Sequence, residues 1–154
     1  MLASVTGSTI NFQSLSNSLK MDQRTMKKYL EILEHAYLIR TLSPWFVNIG
    51  KRLTKSPKLY IRDSGNLHYL SNVSSFSQLT QNAVVGHSWE GFVIEQIVSN
   101  LKSSVKPYFY RTLNGAEVDL VLVKGVEPII SFEIKLSFKS GISRGNTSSI
   151  LELK

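Results

Sequence analysis

A chain of 154 residues with 42% hydrophobic and 19% charged residues has the make-up of a folded globular protein, not of a disordered one. It contains no cysteine, which excludes disulfides and thiolate metal sites and makes a cytoplasmic location the default. No apolar run approaches the roughly 18 residues of a membrane span, and the three scattered histidines have no zinc-type spacing.

The net charge of +7 is unevenly placed. Residues 1–62 hold ten Lys and Arg against Asp22, Glu31 and Glu34, whereas residues 63–154 hold eight of each sign. Such asymmetry points to nucleic acid or another acidic partner for the first part.

Phe12, Leu15 and Leu19 are spaced as one face of a short helix that Asn11 can cap. Asp22 can cap a second helix over 23–36, with a buried stripe of Met26, Tyr29, Leu30, Leu33 and Tyr37. Gln23, Arg24, Lys27 and Lys28 then fall on its solvent side. Two helices joined by a short turn, the second one basic, read as a helix-turn-helix. Strand-like segments follow at 37–48 and 58–63, separated by a tip carrying Lys51, Arg52 and Lys55. This order, helix-turn-helix then basic hairpin, is that of a winged helix. Arg24, Lys27, Lys28, Lys51, Arg52 and Lys55 are accordingly the expected nucleic-acid contacts.

Residues 63–82 read as a Ser/Asn-rich connector with one brief helix, between a segment 1–62 and a second unit 63–154. Residues 83–103 carry the longest helical pattern. Three strands are expected over 105–113, 116–124 and 128–137, punctuated by Asn114-Gly115 and Lys124-Gly125. The fold class is α+β, with the sheet covered by helices.

Chemistry concentrates in this second half. Glu90, Ile94, Ile97 and Leu101 form one helical stripe, and a carboxylate in an apolar stripe is costly unless compensated. Glu95 lies about 140° away and reads as an ordinary solvated acid. On the middle strand, Glu117 and Asp119 share a face. In "FEIKLS" (132–137), Glu133 and Lys135 also share one. Three carboxylates in a cleft repel by about 4 kcal/mol per pair near 4 Å at an effective dielectric of about 20. A divalent ion, Mg²⁺ or Mn²⁺, removes that repulsion and can activate water against a phosphodiester, with Lys135 orienting the water or stabilising the charge that builds. The expected set is Glu90, Asp119, Glu133 and Lys135, with the first three as metal ligands. His87 reads as a surface or capping residue, and Trp45, Phe46 and Trp89 as core.

Helix "WEGFVIEQI", strand "EVDLV" and strand "FEIK" resemble the E…D…(D/E)xK arrangement of the PD-(D/E)xK, or restriction-endonuclease-like, nuclease superfamily. With "SLSNSLKMDQRTMKKYLEILEHAYLIRTLSPW" and "KRLTKSPKLYIRDSGN", the chain more narrowly resembles the C-terminal domain of unknown function that follows the ATPase domain in a family of bacterial and archaeal AAA+-type ATPases. The resemblance implies a nuclease-like core behind a winged-helix-like segment. It places Glu90, Asp119, Glu133 and Lys135 in the superfamily's metal-site positions, with Glu117 secondary. No phosphate-loop motif is present, so the ATPase domain expected N-terminal to this chain is absent. The sequence also stops soon after the E-x-K strand, and is expected to be a C-terminally truncated core or a fragment. Two functional classes follow: a metal-dependent, DNA-acting phosphodiesterase, or a catalytically silent nuclease-fold module for DNA or protein binding within an ATPase assembly. A pure DNA binder is a third.

Overall fold

The computed structural model describes residues 1–45, 56–112 and 115–136. A 3-10 turn (Leu2–Val5) leads into β1 (Ser8–Thr9), α1 (Phe12–Ser18), α2 (Gln23–His35), β2 (Ile39–Leu42) and β3 (Lys58–Ile61). Then follow α3 (Ser64–Leu70), α4 (Phe76–Gln81), α5 (Val84–Ser99), β4 (Val105–Arg111), β5 (Glu117–Lys124) and β6 (Glu127–Phe132). The architecture is mixed α+β, with two three-stranded antiparallel sheets ordered β1-β3-β2 and β4-β5-β6.

Local chemistry explains where the first helices start. Asn11, Asp22, Asp63 and Ser75 each accept a bond from the backbone N–H three residues on, which satisfies one donor that the helix itself leaves free. Asp22 also takes the Thr25 hydroxyl at 2.6 Å. Both caps read from the sequence, Asn11 and Asp22, are in place.

β3 is the spine of the molecule: all four of its residues are buried. Its side chains alternate between two cores, as a strand requires. Leu59 and Ile61 join Ile10, Leu15, Met26, Leu30, Ile39 and Leu67, the core beneath α1 and α2. Tyr60 faces the opposite way and joins Leu42, Ile94, Phe109, Leu120 and Leu122. That second core takes residues from both sides of the 63–82 connector. The backbone crosses the same boundary: Phe109 N–H donates to Ser43 O at 3.0 Å and Trp45 N–H to Phe109 O at 2.7 Å, making a parallel bridge from the end of β2 to β4.

Several expectations need correction. Met26 and Leu30 are buried as read, but Tyr29 and Tyr37 are 54% and 72% exposed. The stripe that packs is narrower than the periodicity suggested: α2 ends at His35, and Tyr37 beyond it takes a left-handed backbone at φ +60°. Trp89 is partly exposed and stacks on Phe92, not in either core. The connector holds two helices, α3 and α4, instead of one. The third strand of the second half ends at Phe132, short of Glu133 and Lys135. The expected tip with Lys51, Arg52 and Lys55 lies outside the described residues, as does Phe46. No helix among the described residues is long and apolar enough to cross a membrane.

Candidate functional site

The sharpest feature of the described residues is a lysine surrounded by acids. Lys58 opens β3, and its side chain is only 4% exposed. Its Nζ lies 2.5 Å from Glu117 Oε1, 3.1 Å from Glu90 Oε1 and 3.9 Å from Asp119 Oδ1. The Phe109 ring lies below it, 5.6 Å from Nζ to the ring centre. Glu90 comes from α5, while Glu117 and Asp119 come from β5 two residues apart and so on one face. Three segments of the chain meet at one ammonium.

The surrounding groups hold that charge distribution in place. Tyr60 Oη donates to Glu90 Oε1 at 2.6 Å, and His87 Nδ1 stands 3.7 Å from Glu90 Oε2. Arg111 Nε approaches Glu117 Oε2 at 3.8 Å. Asp119 Oδ2 accepts the backbone N–H of Ile134 at 2.7 Å, which ties the chain beyond β6 to the site. Gly7, at φ +71°, lets the turn before β1 lie against His87; a Cβ there would collide with the imidazole.

Ionisation follows from these contacts. Burial works against the Lys58 ammonium, but the charges of Glu90 and Glu117 overcome it and leave the pKa above the ordinary lysine value. Burial likewise opposes the Glu90 carboxylate, and the His87, Lys58 and Tyr60 contacts outweigh it and lower its pKa. Asp119 moves the other way: burial raises its pKa, and the neighbouring Glu90 charge adds to that against the Ile134 N–H and Lys58. Burial and the Glu90 contact push the Tyr60 phenol up, so it remains a donor. The His87 pKa is raised by its bond to Glu90.

A second charged cluster shares α5. Glu95 bonds Arg40 Nε at 2.8 Å, Arg62 Nε at 2.9 Å and Ser99 Oγ at 2.8 Å. Although burial opposes its charge, the Arg40, Arg62 and Ser99 bonds bring its pKa down to about 2. The expectation that Glu95 is an ordinary solvated acid is therefore wrong. Glu95 thus faces Arg40 of β2 and Arg62 just past β3, while Trp89, Phe92, Gln96 and Ser99 leave another side of α5 exposed.

The expected site residues divide. Glu90 and Asp119 come together, and Glu117 joins them. Glu133 and Lys135 do not: they bond each other at 2.6 Å with side chains 62% and 76% exposed, just past the end of β6. Lys58 and Tyr60 were not among the residues singled out from the sequence. A period-2 signal for them exists in "KLYIR": Lys58, Tyr60 and Arg62 stand at alternate positions, and all three donate to acids of α5.

A divalent ion does not fit this arrangement as it stands. Magnesium binds carboxylate oxygens at about 2.0–2.1 Å. The space between Glu90, Glu117 and Asp119 is already filled by an ammonium, and Glu133 points elsewhere. Among the described residues no group of three or more His, Asp or Glu side chains has metal-holding geometry. What the cluster does chemically is electrostatic: it binds a strand, a helix and a second strand through one protonated amine.

Fold and cluster together define a mixed α+β protein whose two cores meet across β3, with a lysine-centred charge cluster on the Tyr60 side. The chain belongs to a family described as a domain of unknown function (DUF8612), which matches residues 1–77, half of its length. A second domain of unknown function (DUF4143) matches residues 85–153. Uncharacterized proteins of Mycobacterium tuberculosis (strain ATCC 25618 / H37Rv) and Mycobacterium bovis (strain ATCC BAA-935 / AF2122/97) are each 41% identical to it over all 154 residues. The chain spans 34% of the length of these relatives. No solved structure matches it.

Proposed function

We propose that the chain is a DNA-docking module of an ATPase-linked protein, in which a winged-helix-like segment presents α2 to the duplex and a restriction-endonuclease-like second half is catalytically silent. The observation that carries this reading is the outer face of α2. Arg24, Lys27 and Lys28 are exposed there, and none is paired with a carboxylate among the described residues. Lys27 lies over the Phe12 ring, 5.0 Å from its centre, which keeps the amine close to the α1–α2 turn. Helix α1, the turn and α2 stand in front of a sheet ordered β1-β3-β2, an arrangement that supports the winged-helix reading. Unpaired cations on one helix face suit a row of phosphates, since each contact releases condensed counterions.

For the second half, the order α5, β4, β5, β6 supports the nuclease-like core, and the outward turn of Glu133 and Lys135 supports its silence. The whole chain titrated onto labelled duplex DNA over a range of salt tests the docking claim. Replacing Arg24, Lys27 and Lys28 together by Ala should weaken binding about tenfold or more and flatten the log–log salt slope by roughly 2.7. An unchanged affinity and slope would overturn it.

The metal-dependent phosphodiesterase reading keeps one observation in its favour, the convergence of Glu90 and Asp119 on a single atom. Plasmid or single-stranded DNA incubated with the protein and Mg²⁺ or Mn²⁺ separates the two. Cleavage that disappears in Asp119→Asn would establish the enzyme and end the silent reading.

A further inference from the structure

We propose that Lys58 is the resident cation of the Glu90–Glu117–Asp119 cluster, a covalently tethered ammonium standing where a divalent ion would otherwise neutralise the three acids. The inference rests on the silent reading of the second half and gives that silence a cause. It is independent of docking by α2.

Three observations lead to it. The Nζ lies within 4 Å of all three carboxylates, at 3.1, 2.5 and 3.9 Å. The side chain reaches it from β3 through the buried core, with the Phe109 ring beneath, so the amine is held and not merely attracted. The cluster has also been closed by donors of other kinds: Tyr60 occupies Glu90 Oε1 and the Ile134 N–H occupies Asp119 Oδ2. A metal entering this space would meet a fixed positive charge at its centre and would have to displace two hydrogen bonds. Repulsion from the Lys58 ammonium, together with the oxygens already engaged on these acids, weakens the site for a divalent ion.

A tether changes the function of such a cluster. A free ion comes and goes with its concentration, but an amine on the polypeptide is present whenever the chain is folded. The carboxylates of α5 and β5 are then locked to β3 on its Tyr60 face.

The experiment is a Mn²⁺ titration read by the paramagnetic signal of the free ion, together with thermal melting in the presence and absence of Mn²⁺. The wild-type chain should take up no ion saturably to about 1 mM, the range in which weak oxygen-ligand sites fill, and its melting temperature should not move. Lys58→Met should bind one Mn²⁺ at least roughly tenfold more tightly than wild type, because the repelling charge is gone and the acids remain. Lys58→Arg, which keeps the charge, should bind none. If Lys58→Met does not fold in metal-free buffer, the charge-balanced Lys58→Met/Glu117→Gln is read in its place. If neither folds, the wild-type titration decides alone. Saturable uptake by the wild-type chain that Glu90→Gln or Asp119→Asn abolishes would overturn the inference, and so would a folded Lys58→Met that binds no better than wild type. Wild-type uptake leaves docking by α2 standing. Loss of docking with no uptake does the reverse.

Discussion

Two lysine–glutamate contacts in this molecule have nearly the same length and opposite consequences. Lys58 and Glu117 meet at 2.5 Å between β3 and β5, with the lysine side chain only 4% exposed and the glutamate 29%. Lys135 and Glu133 meet at 2.6 Å in solvent, two residues apart past the end of β6. In water the second pair is screened, and two long side chains lose freedom to hold it. In the first, folding has already desolvated the lysine, which is 4% exposed, so its charge depends on the acids around it for compensation. Distance alone does not rank ion pairs; surroundings do.

Substitutions can break or sharpen this contrast. The largest effect is expected for Lys58→Met, which leaves three acids facing one another and should cost about 3–5 kcal/mol, read as a fall in melting temperature. Next comes Glu95→Gln, which uncouples Arg40 and Arg62 and should cost roughly 2 kcal/mol, less than a fully buried pair because both arginines keep some solvent. Acid titration of the wild type tests the same contact. Glu95 has its folded pKa depressed to about 2 from an ordinary 4.5, so its stabilisation is complete above 4.5 and is lost as pH falls from there toward 2. In Glu95→Gln the melting temperature should vary less across that window.

Gly7→Ala is expected to be smaller, about 1–2 kcal/mol, from a positive φ and a collision with the His87 ring. Its signature is a His87 pKa that drops back toward the ordinary value once the imidazole leaves Glu90, as proton NMR titration would record. The raised folded pKa gives stability that is complete below about 6.5 and lost as pH rises through the folded value. At the bottom, Lys135→Ala should leave the melting temperature essentially where it is. A loss comparable to that of Lys58→Met would mean that the exposed pair is held by something other than its own charges.

Much of the fold was legible because it is written in local patterns. The caps Asn11 and Asp22, the 3.6-residue spacing of Met26 and Leu30, and the Lys124-Gly125 turn specify elements without reference to distant residues. Glu90 was legible too, as an acid in an apolar stripe. Glu95 was misread because helical periodicity tells which residues share a face, not how many faces are covered. Lys58 was passed over for a related reason. A lysine at the start of a strand ordinarily belongs to the surface, and only the packing of α5, β4 and β5 on that face of β3 buries it. Glu133 and Lys135 matched a motif, but a motif fixes spacing, and the strand that would have aimed both inward ends at Phe132.

The parallel bridge at Pro44 and Phe109 bears on how this polypeptide can be divided. Family resemblance changes identity between residues 77 and 85, which invites cutting the gene there. A cut at that place would strip Leu42 and Tyr60 from Ile94, Phe109, Leu120 and Leu122, leaving greasy wounds on both pieces. Each piece expressed alone should precipitate, and the two made together in one cell should reassociate into a soluble pair. Evolutionary seams and mechanical seams need not coincide, and here the strand that closes one half is the floor of the other.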